Sequence, residues 1–218
     1  MKKHIICFGD SNTHGYCADP GDCADGGGRF NENERWTKLL QKSLGGEFEV
    51  IEEGLSGRTT CFEDPIQEGL KGLDYLTPCL KSHEPVDLLI LMLGTNDCKE
   101  RFGASAYCIS LGLARLVKKA RTTECWGGKT PNILVIAPVP MGEGVMQSPA
   151  AASMGPGSVE KSRLLAGYYQ QQCGLLGCHF LDAEGCQCNR IDYMHLTKEG
   201  HRQLAQRLAE VVPALLKD

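Results

Sequence analysis

The chain has 218 residues, of which 42% are hydrophobic and 23% charged. That composition excludes disorder, collagen-like repeats and coiled coil, and suits one domain, or at most two small ones, with a sizeable core. Its 23 Lys and Arg against 27 Asp and Glu leave a formal charge of −4, so the broad basic face that neutralises phosphates is missing and nucleic acid is not an expected partner.

Met1-Lys2-Lys3 leads directly into a short apolar run, without the longer stretch and small-residue cleavage site of an export signal, so a cytoplasmic location is expected. The run predicts a first strand over His4–Phe8, followed by Gly9-Asp10-Ser11-Asn12-Thr13. A Gly-rich, acidic loop occupies Cys17 to Asn33, and Trp36, Leu39, Leu40 and Leu44 then fall on one helical stripe. A second strand, Phe48–Glu52, leads into Gly54-Leu55-Ser56-Gly57-Arg58, and the segment Pro65 to Ser82 predicts a helix despite Gly69 and Gly72.

Asp87–Leu93 predicts a third strand, ending in Gly94-Thr95-Asn96-Asp97. It contains the longest apolar run, Leu88 to Leu93, which is far short of the roughly 20 residues that cross a bilayer; no membrane partner is expected. Ile109, Leu113, Leu116, Val117 and Ala120 form the next helical stripe, Asn132–Pro138 the fourth strand, and Val139 to Ser158 a long loop rich in Pro, Gly, Met and Ala. Such loops are usually functional or mobile. Leu164, Leu165, Tyr168 and Tyr169 mark a further helix and Cys178–Asp182 a fifth strand. Asp192-Tyr193-Met194-His195 then precedes a last helix carrying Leu204, Leu208, Val211, Val212 and Leu215.

Strands alternating with helices predict an α/β fold: a three-layer α/β/α sandwich around a flavodoxin-like, five-stranded parallel sheet, read as one domain over 1–218. Twelve cysteines in a chain without an export signal read as reduced thiols, with Cys7, Cys79 and Cys108 packed as small hydrophobes in apolar runs. Cys186 with Cys188, and Cys17 with Cys23, are not CxxC pairs and lack a second ligand pair at zinc-finger spacing. No metal and no cofactor are expected. Asp19, Asp22 and Asp25 lack the spacing of a calcium loop and read as a solvated acidic stretch.

In an open parallel sheet, ligands bind beyond the carboxyl ends of the strands, and those positions hold a serine, a glycine, an asparagine and an Asp-x-x-His pair. A serine hydroxyl becomes a nucleophile when a base takes its proton, and neutral imidazole is the usual base. Ser11 is therefore the candidate nucleophile and His195 the base, with Asp192 fixing the second ring nitrogen. The oxyanion formed at an ester carbonyl needs fixed donors, available from the Ser11 and Gly57 amides and the Asn96 side chain. Individually each residue has a plainer role: Ser11 as a helix cap, Gly57 and Asn96 in turns, Asp192 as an Asx-turn acceptor. Their coincidence at successive strand ends favours the catalytic reading.

FGDSNTHG, GLSGRTT, GTND and DYMHLTKEGH resemble, in order and across nearly the whole chain, the four blocks of the SGNH hydrolases, or GDSL esterases. The resemblance implies the SGNH hydrolase fold, with Ser11, Asp192 and His195 as the triad and Ser11, Gly57 and Asn96 as the oxyanion hole. The first block reads Gly-Asp-Ser-Asn in place of Gly-Asp-Ser-Leu, so Asn12 bears on pocket lining. Together with Arg35-Trp36 and SGRTT, it is similar to the aryl esterase and acyltransferase branch. That likeness implies short acyl esters as small-molecule substrates, acyl transfer to alcohols, and homo-oligomers.

Asp10, Asn12, His14 and Tyr16 are candidate pocket residues. Tyr16 and Trp36 are weighed as entrance or oligomer contacts against simple core burial, and His201 on the last helix reads as surface. Competing readings are a carbohydrate acetylesterase, a lysophospholipase or thioesterase of the same fold, and a non-catalytic module binding a small anion. Ser56 lacks the final glycine of a G-x-S-x-G elbow, and Gly128-Lys129-Thr130 lacks the first glycine of a phosphate loop.

Overall fold

A computed structural model describes residues 2–217. In chain order the elements are β1 (Lys3–Gly9), α1 (Ser11–His14), α2 (Trp36–Leu44), β2 (Phe48–Gly54), α3 (Gly72–Ser82), β3 (Leu88–Met92), α4 (Ala106–Thr122), β4 (Ile133–Ala137), α5 (Ala151–Met154), α6 (Ser158–Leu176), β5 (His179–Asp182) and α7 (Lys198–Leu215). All five expected strands form one parallel sheet in the order β2-β1-β3-β4-β5.

The strand order reverses direction at β1, and right-handed crossovers then send helices to opposite faces. The connection from β1 to β2 runs one way and places α2 on one face; the connections through α3, α4 and α6 run the other way and cover the second. Side-chain alternation matches. Ile5, Cys7, Leu88 and Ile90 pack with Trp36 and Leu40 of α2 and with Leu204, Leu208 and Val212 of α7. Ile6, Phe8, Leu89 and Leu91 pack with Leu76 of α3, Leu113 and Leu116 of α4, and Leu165 and Tyr169 of α6. This is the three-layer α/β/α sandwich. Its crevice opens beyond the ends of β1 and β3, where the chain departs in opposite directions.

Several local expectations are corrected. The helix expected over Pro65–Ser82 begins only at Gly72, because Gly69 takes a left-handed φ of 76° that no helix continues. The 139–158 stretch is not simply a loop: it holds a 3₁₀ turn at Glu143–Gln147 and α5, and buries Val145, Ala150 and Met154 in the core. Leu164 turns to solvent while Leu165 and Tyr169 face inward. Cys108 is exposed, whereas Cys7 and Cys79 are buried. Among the described residues, no helix is long and apolar enough to cross a membrane.

His201 is the largest correction. Expected at the surface, it is fully buried, and its Nδ1 accepts the Trp36 backbone N–H at 3.2 Å, capping the first turn of α2 from α7. Its ring meets Phe30 edge-on, with centroids 4.9 Å apart. Burial, with the nearby charges of His195 and Arg35, pushes its pKa down to about 3. The unfolded chain therefore takes up this proton first, near the ordinary 6.5. The contribution to stability is whole above that pH and is lost as pH falls toward 3, at up to about 1.4 kcal/mol per pH unit. Between pH 7 and 5 the wild-type protein should lose about 2 kcal/mol more than His201→Asn, whose amide oxygen can replace Nδ1. Urea unfolding at the two pH values measures this, and equal losses in both proteins would show that the buried ring protonates freely.

Candidate active site

Ser11 opens α1 immediately after β1. The short helix is closed at both ends: the Asp10 Oδ1 accepts the Asn12 N–H at 3.0 Å, and Gly15 ends it in a left-handed conformation at φ 87°. It lies against the sheet because the strand ends carry no side chains. A Cβ on Gly54 would run into the backbone of Thr13 and His14, and one on Gly9 into Thr13 Oγ1 and, at 2.8 Å, the Met92 carbonyl. Glycine is required here for close approach.

The loop after β5 carries the partner side chains. His195 Nε2 lies 2.8 Å from Ser11 Oγ, and its Nδ1 lies 2.7 Å from Asp192 Oδ2. The other carboxylate oxygen, Oδ1, accepts the amides of Met194 and His195, both at 3.1 Å, and Asn189 Nδ2 at 2.9 Å. Asn189 also donates to the His195 carbonyl at 2.8 Å and accepts the Ile191 and Asp192 amides. Burial alone would raise the Asp192 carboxyl; the hydrogen bonds from His195, Asn189 and Met194 outweigh it and hold the pKa down at about 2. The geometry leaves His195 with one nitrogen on the carboxylate and the other on the hydroxyl.

Three polar hydrogens converge opposite. The N–H groups of Ser11 and Gly57 have no acceptor among the described residues, as the first turn of a helix and the third position of a turn closed by Arg58 N–H on the Leu55 carbonyl allow. Gly57 sits at φ 87°, a conformation strained for any side chain. Asn96 gives one amide hydrogen to the Arg58 carbonyl at 3.1 Å, which orients the amide and leaves its other hydrogen uncommitted. Ser11, Gly57, Asn96, Asp192 and His195 all line one pocket of about 330 Å³. The structure thus brings together all five residues expected at the strand ends.

Of the four expected pocket residues, only Tyr16 lines it; its ring leans on His195, with centroids 4.6 Å apart. Asp10 is buried as the cap of α1, and Trp36 is core, its indole N–H donating to the Asn12 carbonyl at 3.0 Å. His14 lies outside the pocket lining, where its carbonyl accepts Arg29 Nε at 2.8 Å. Asn12 does not line the pocket either. Its amide donates to the Met194 carbonyl at 3.2 Å, and its Oδ1 accepts the Leu196 N–H at 2.9 Å, so it clasps the histidine loop to α1.

A further layer supports these groups. Arg58 donates to the Gly9 carbonyl at 3.0 Å and to the Glu53 carbonyl, and its guanidinium lies over the Phe8 ring, 4.2 Å from its centroid. The Asp97 Oδ1 accepts the Thr60 N–H at 2.9 Å. Burial pushes the carboxyls of Asp10 and Asp97 up to about 6. The remaining wall comes from both long connections: Ala18 from the acidic loop, and Pro149, Ala150, Ser153 and Met154 from 139–158, together with Ser56, Thr95, Lys99, Ile191 and Met194. Ser56, Thr95 and Met194 stand within the strand-end blocks, whereas Ala18, Lys99, Pro149, Ala150, Ser153, Met154 and Ile191 carry no motif, so nothing in the sequence singled those out.

None of the twelve cysteines lines this pocket. Away from it, Glu53, Cys79 and His83 bring ligand-type atoms within 4.8 Å of one another, but His83 Nε2 already engages the Glu53 carboxylate at 2.9 Å, and the Arg58 charge acts on both Glu53 and Cys79. A fixed guanidinium opposes a divalent cation there.

The description GDSL-like lipase/acylhydrolase family fits residues 7–203 of the chain. Among solved structures, the native aryl esterase of M. smegmatis is 38% identical, with a TM-score of 0.87, over 98% of this chain and 100% of that one. Est24, a carbohydrate acetylesterase from Sinorhizobium meliloti, is 36% identical, with a TM-score of 0.87 and the same coverage. A search of curated proteins gives no match.

Asn12→Leu keeps the branching and the number of heavy atoms but leaves the Met194 carbonyl and Leu196 N–H without their partner. It should lower the unfolding free energy by about 1–3 kcal/mol and speed hydrogen exchange at the Leu196 amide. Urea unfolding and native-state exchange measure the two effects; unchanged exchange at Leu196 would show that the clasp does not hold the loop.

Proposed function

The chain belongs to the GDSL-like lipase/acylhydrolase family, and from that premise we propose that it is a serine esterase acting on short-chain carboxylic esters, aryl or alkyl, through an acyl-enzyme. Ester hydrolysis as such is supported by the family and by the esterase neighbours. The observation that carries the finer reading is the unbroken chain Ser11 Oγ, His195, Asp192, at 2.8 and 2.7 Å, on the rim of the pocket.

Each step follows from these contacts. His195 Nε2 takes the Ser11 proton as Oγ bonds to the acyl carbon, and the Asp192 carboxylate stabilises the imidazolium that results. The Ser11 and Gly57 amides and the Asn96 side chain hold the developing oxyanion, with no reorganisation needed at that moment. The tetrahedral intermediate collapses, the bond to the leaving oxygen breaks, and His195 returns the proton to it. Water, activated by the same imidazole, then attacks the acyl carbon, and Ser11 leaves with its proton restored. An alcohol entering in place of water gives a new ester, which is the acyl-transfer activity we infer beside hydrolysis. Ala18, Ala150, Met154, Ile191 and Met194 make an apolar lining that receives such an alcohol.

The decisive experiment uses 4-nitrophenyl acetate together with an organophosphonate probe. Wild-type protein turns the ester over and is labelled on Ser11, and Ser11→Ala does neither; turnover by Ser11→Ala at the wild-type rate ends the proposal. Asn96→Ala should reduce kcat by about 10²- to 10³-fold. Asp192, held at about 2, stays ionised well into acid, so loss of its charge does not limit the rate in mildly acidic assays.

A further inference from the structure

The pocket wall holds one cation whose hydrogen-bonding capacity is unspent. After β3 the chain turns through Asn96–Cys98 and delivers Lys99 to the same pocket as Ser11 and Asn96. Lys99 is only 7% exposed, yet among the described residues its ammonium makes no hydrogen bond or ion pair. Its neighbours are committed elsewhere. Arg101 pairs with Asp64 at 2.6 Å, and Lys161 donates to the Cys98 carbonyl at 3.2 Å. The carboxylates that act on Lys99 through space, Asp64, Asp10 and Asp97, do not reach ion-pair distance. Asp64 is taken by Arg101 and the Ile66 amide; Asp10 and Asp97 each give one oxygen to an amide, of Asn12 and Thr60, and their second oxygens, buried without a partner, stay beyond ion-pair distance of Lys99.

The stem of Lys99 is buried while its ammonium, without a protein partner, is not sealed from solvent, so an anion entering the pocket can reach it and pair with it. The surrounding wall is mostly apolar, with Ala150, Met154 and Met194 among its residues, so the attraction is stronger than at an open surface. An ester bound with its carbonyl toward the amides of Ser11 and Gly57 shares this small pocket with the ammonium. We propose that Lys99 determines specificity by pairing with a carboxylate on the ester, so that the preferred substrates are anionic esters. The inference rests on the esterase reading above and names its substrate class. The carboxylate can be on the acyl group or on the leaving alcohol, and the two are separated by test.

Two matched pairs of esters supply that test. For the acyl side, monomethyl succinate is compared with dimethyl succinate; for the alcohol side, 4-acetoxybenzoate is compared with its methyl ester. In the wild-type enzyme, kcat/KM for at least one anionic ester should exceed that of its neutral partner by tenfold or more. Lys99→Met should abolish that preference, mainly through KM, and Lys99→Arg should retain it. A wild-type preference for the neutral ester in both pairs, or an anionic-to-neutral ratio unchanged in Lys99→Met, overturns the proposal. If no ester is hydrolysed, the esterase reading fails, and the role of Lys99 is decided by calorimetric titration of Ser11→Ala with the same four esters. Binding of an anionic ester that Lys99→Met removes supports it; equal binding of anionic and neutral esters overturns it.

Discussion

The hydrogen bond between Ser11 and His195 joins residues 184 positions apart, and almost every unusual feature of the fold serves to bring those two groups to one place. A side-chain hydrogen bond of this kind contributes only about 1 kcal/mol net, too little to hold two loops in register. The register comes from Asn12, whose amide engages the backbone of the histidine loop on both sides of His195. It comes also from Asp192 and Asn189, which fold that loop on itself. The Ser11–His195 contact is thus supported by several bonds of 2.8–3.2 Å, most of them to backbone and all but that of Asn12 to Met194 fully buried.

The strand order explains why the crevice exists at all. With β1 flanked by β2 on one side and β3 on the other, the chain leaves β1 and β3 in opposite directions and the two exits part. Ser11 follows the first strand and Asn96 the third, so the hydroxyl and the amide stand across one gap. Gly9 and Gly54 permit the closeness, since a Cβ at either would meet backbone.

Beneath the gap lies a concentration of buried charge. Asp10 and Asp97 are both raised to about 6 by burial, which means that each weakens the fold at neutral pH relative to its protonated form. They remain because each holds a backbone amide beside the site, that of Asn12 in α1 or Thr60 beyond the Gly57 turn. Arg58 and Lys99 offset part of that charge. Arg58 spends its hydrogens on carbonyls, whereas Lys99 keeps its own free in the pocket, and that difference separates a positioning cation from one available to a substrate.

Much of this was legible in the residues. Apolar runs placed all five strands within one or two residues; those of the central β1, β3 and β4 are nearly continuous because a strand buried on both faces tolerates little else, whereas the edge strands β2 and β5 mix in polar residues. The strand-end blocks identified Ser11, Gly57, Asn96, Asp192 and His195, since backbone turns and acid–base chemistry demand particular residue types. His201, read as surface, stands three residues before Leu204 on the buried stripe of α7, and the packing of α2 and Phe30 against it closes it off from solvent.

Asn12 and Lys99 differ from His201 in that no local pattern marks them. An asparagine after the nucleophile reads as pocket lining until the histidine loop is seen to close on it, and a lysine after a turn reads as surface until α5 and the 139–158 segment fold over it. The sequence by itself determined the elements, their layering and the chemistry at the strand ends, because these depend on periodicity and on residue type. Tertiary structure alone decided which polar groups are clasped, which are buried uncharged and which remain unpaired, because partners distant in the chain meet only when the layers pack.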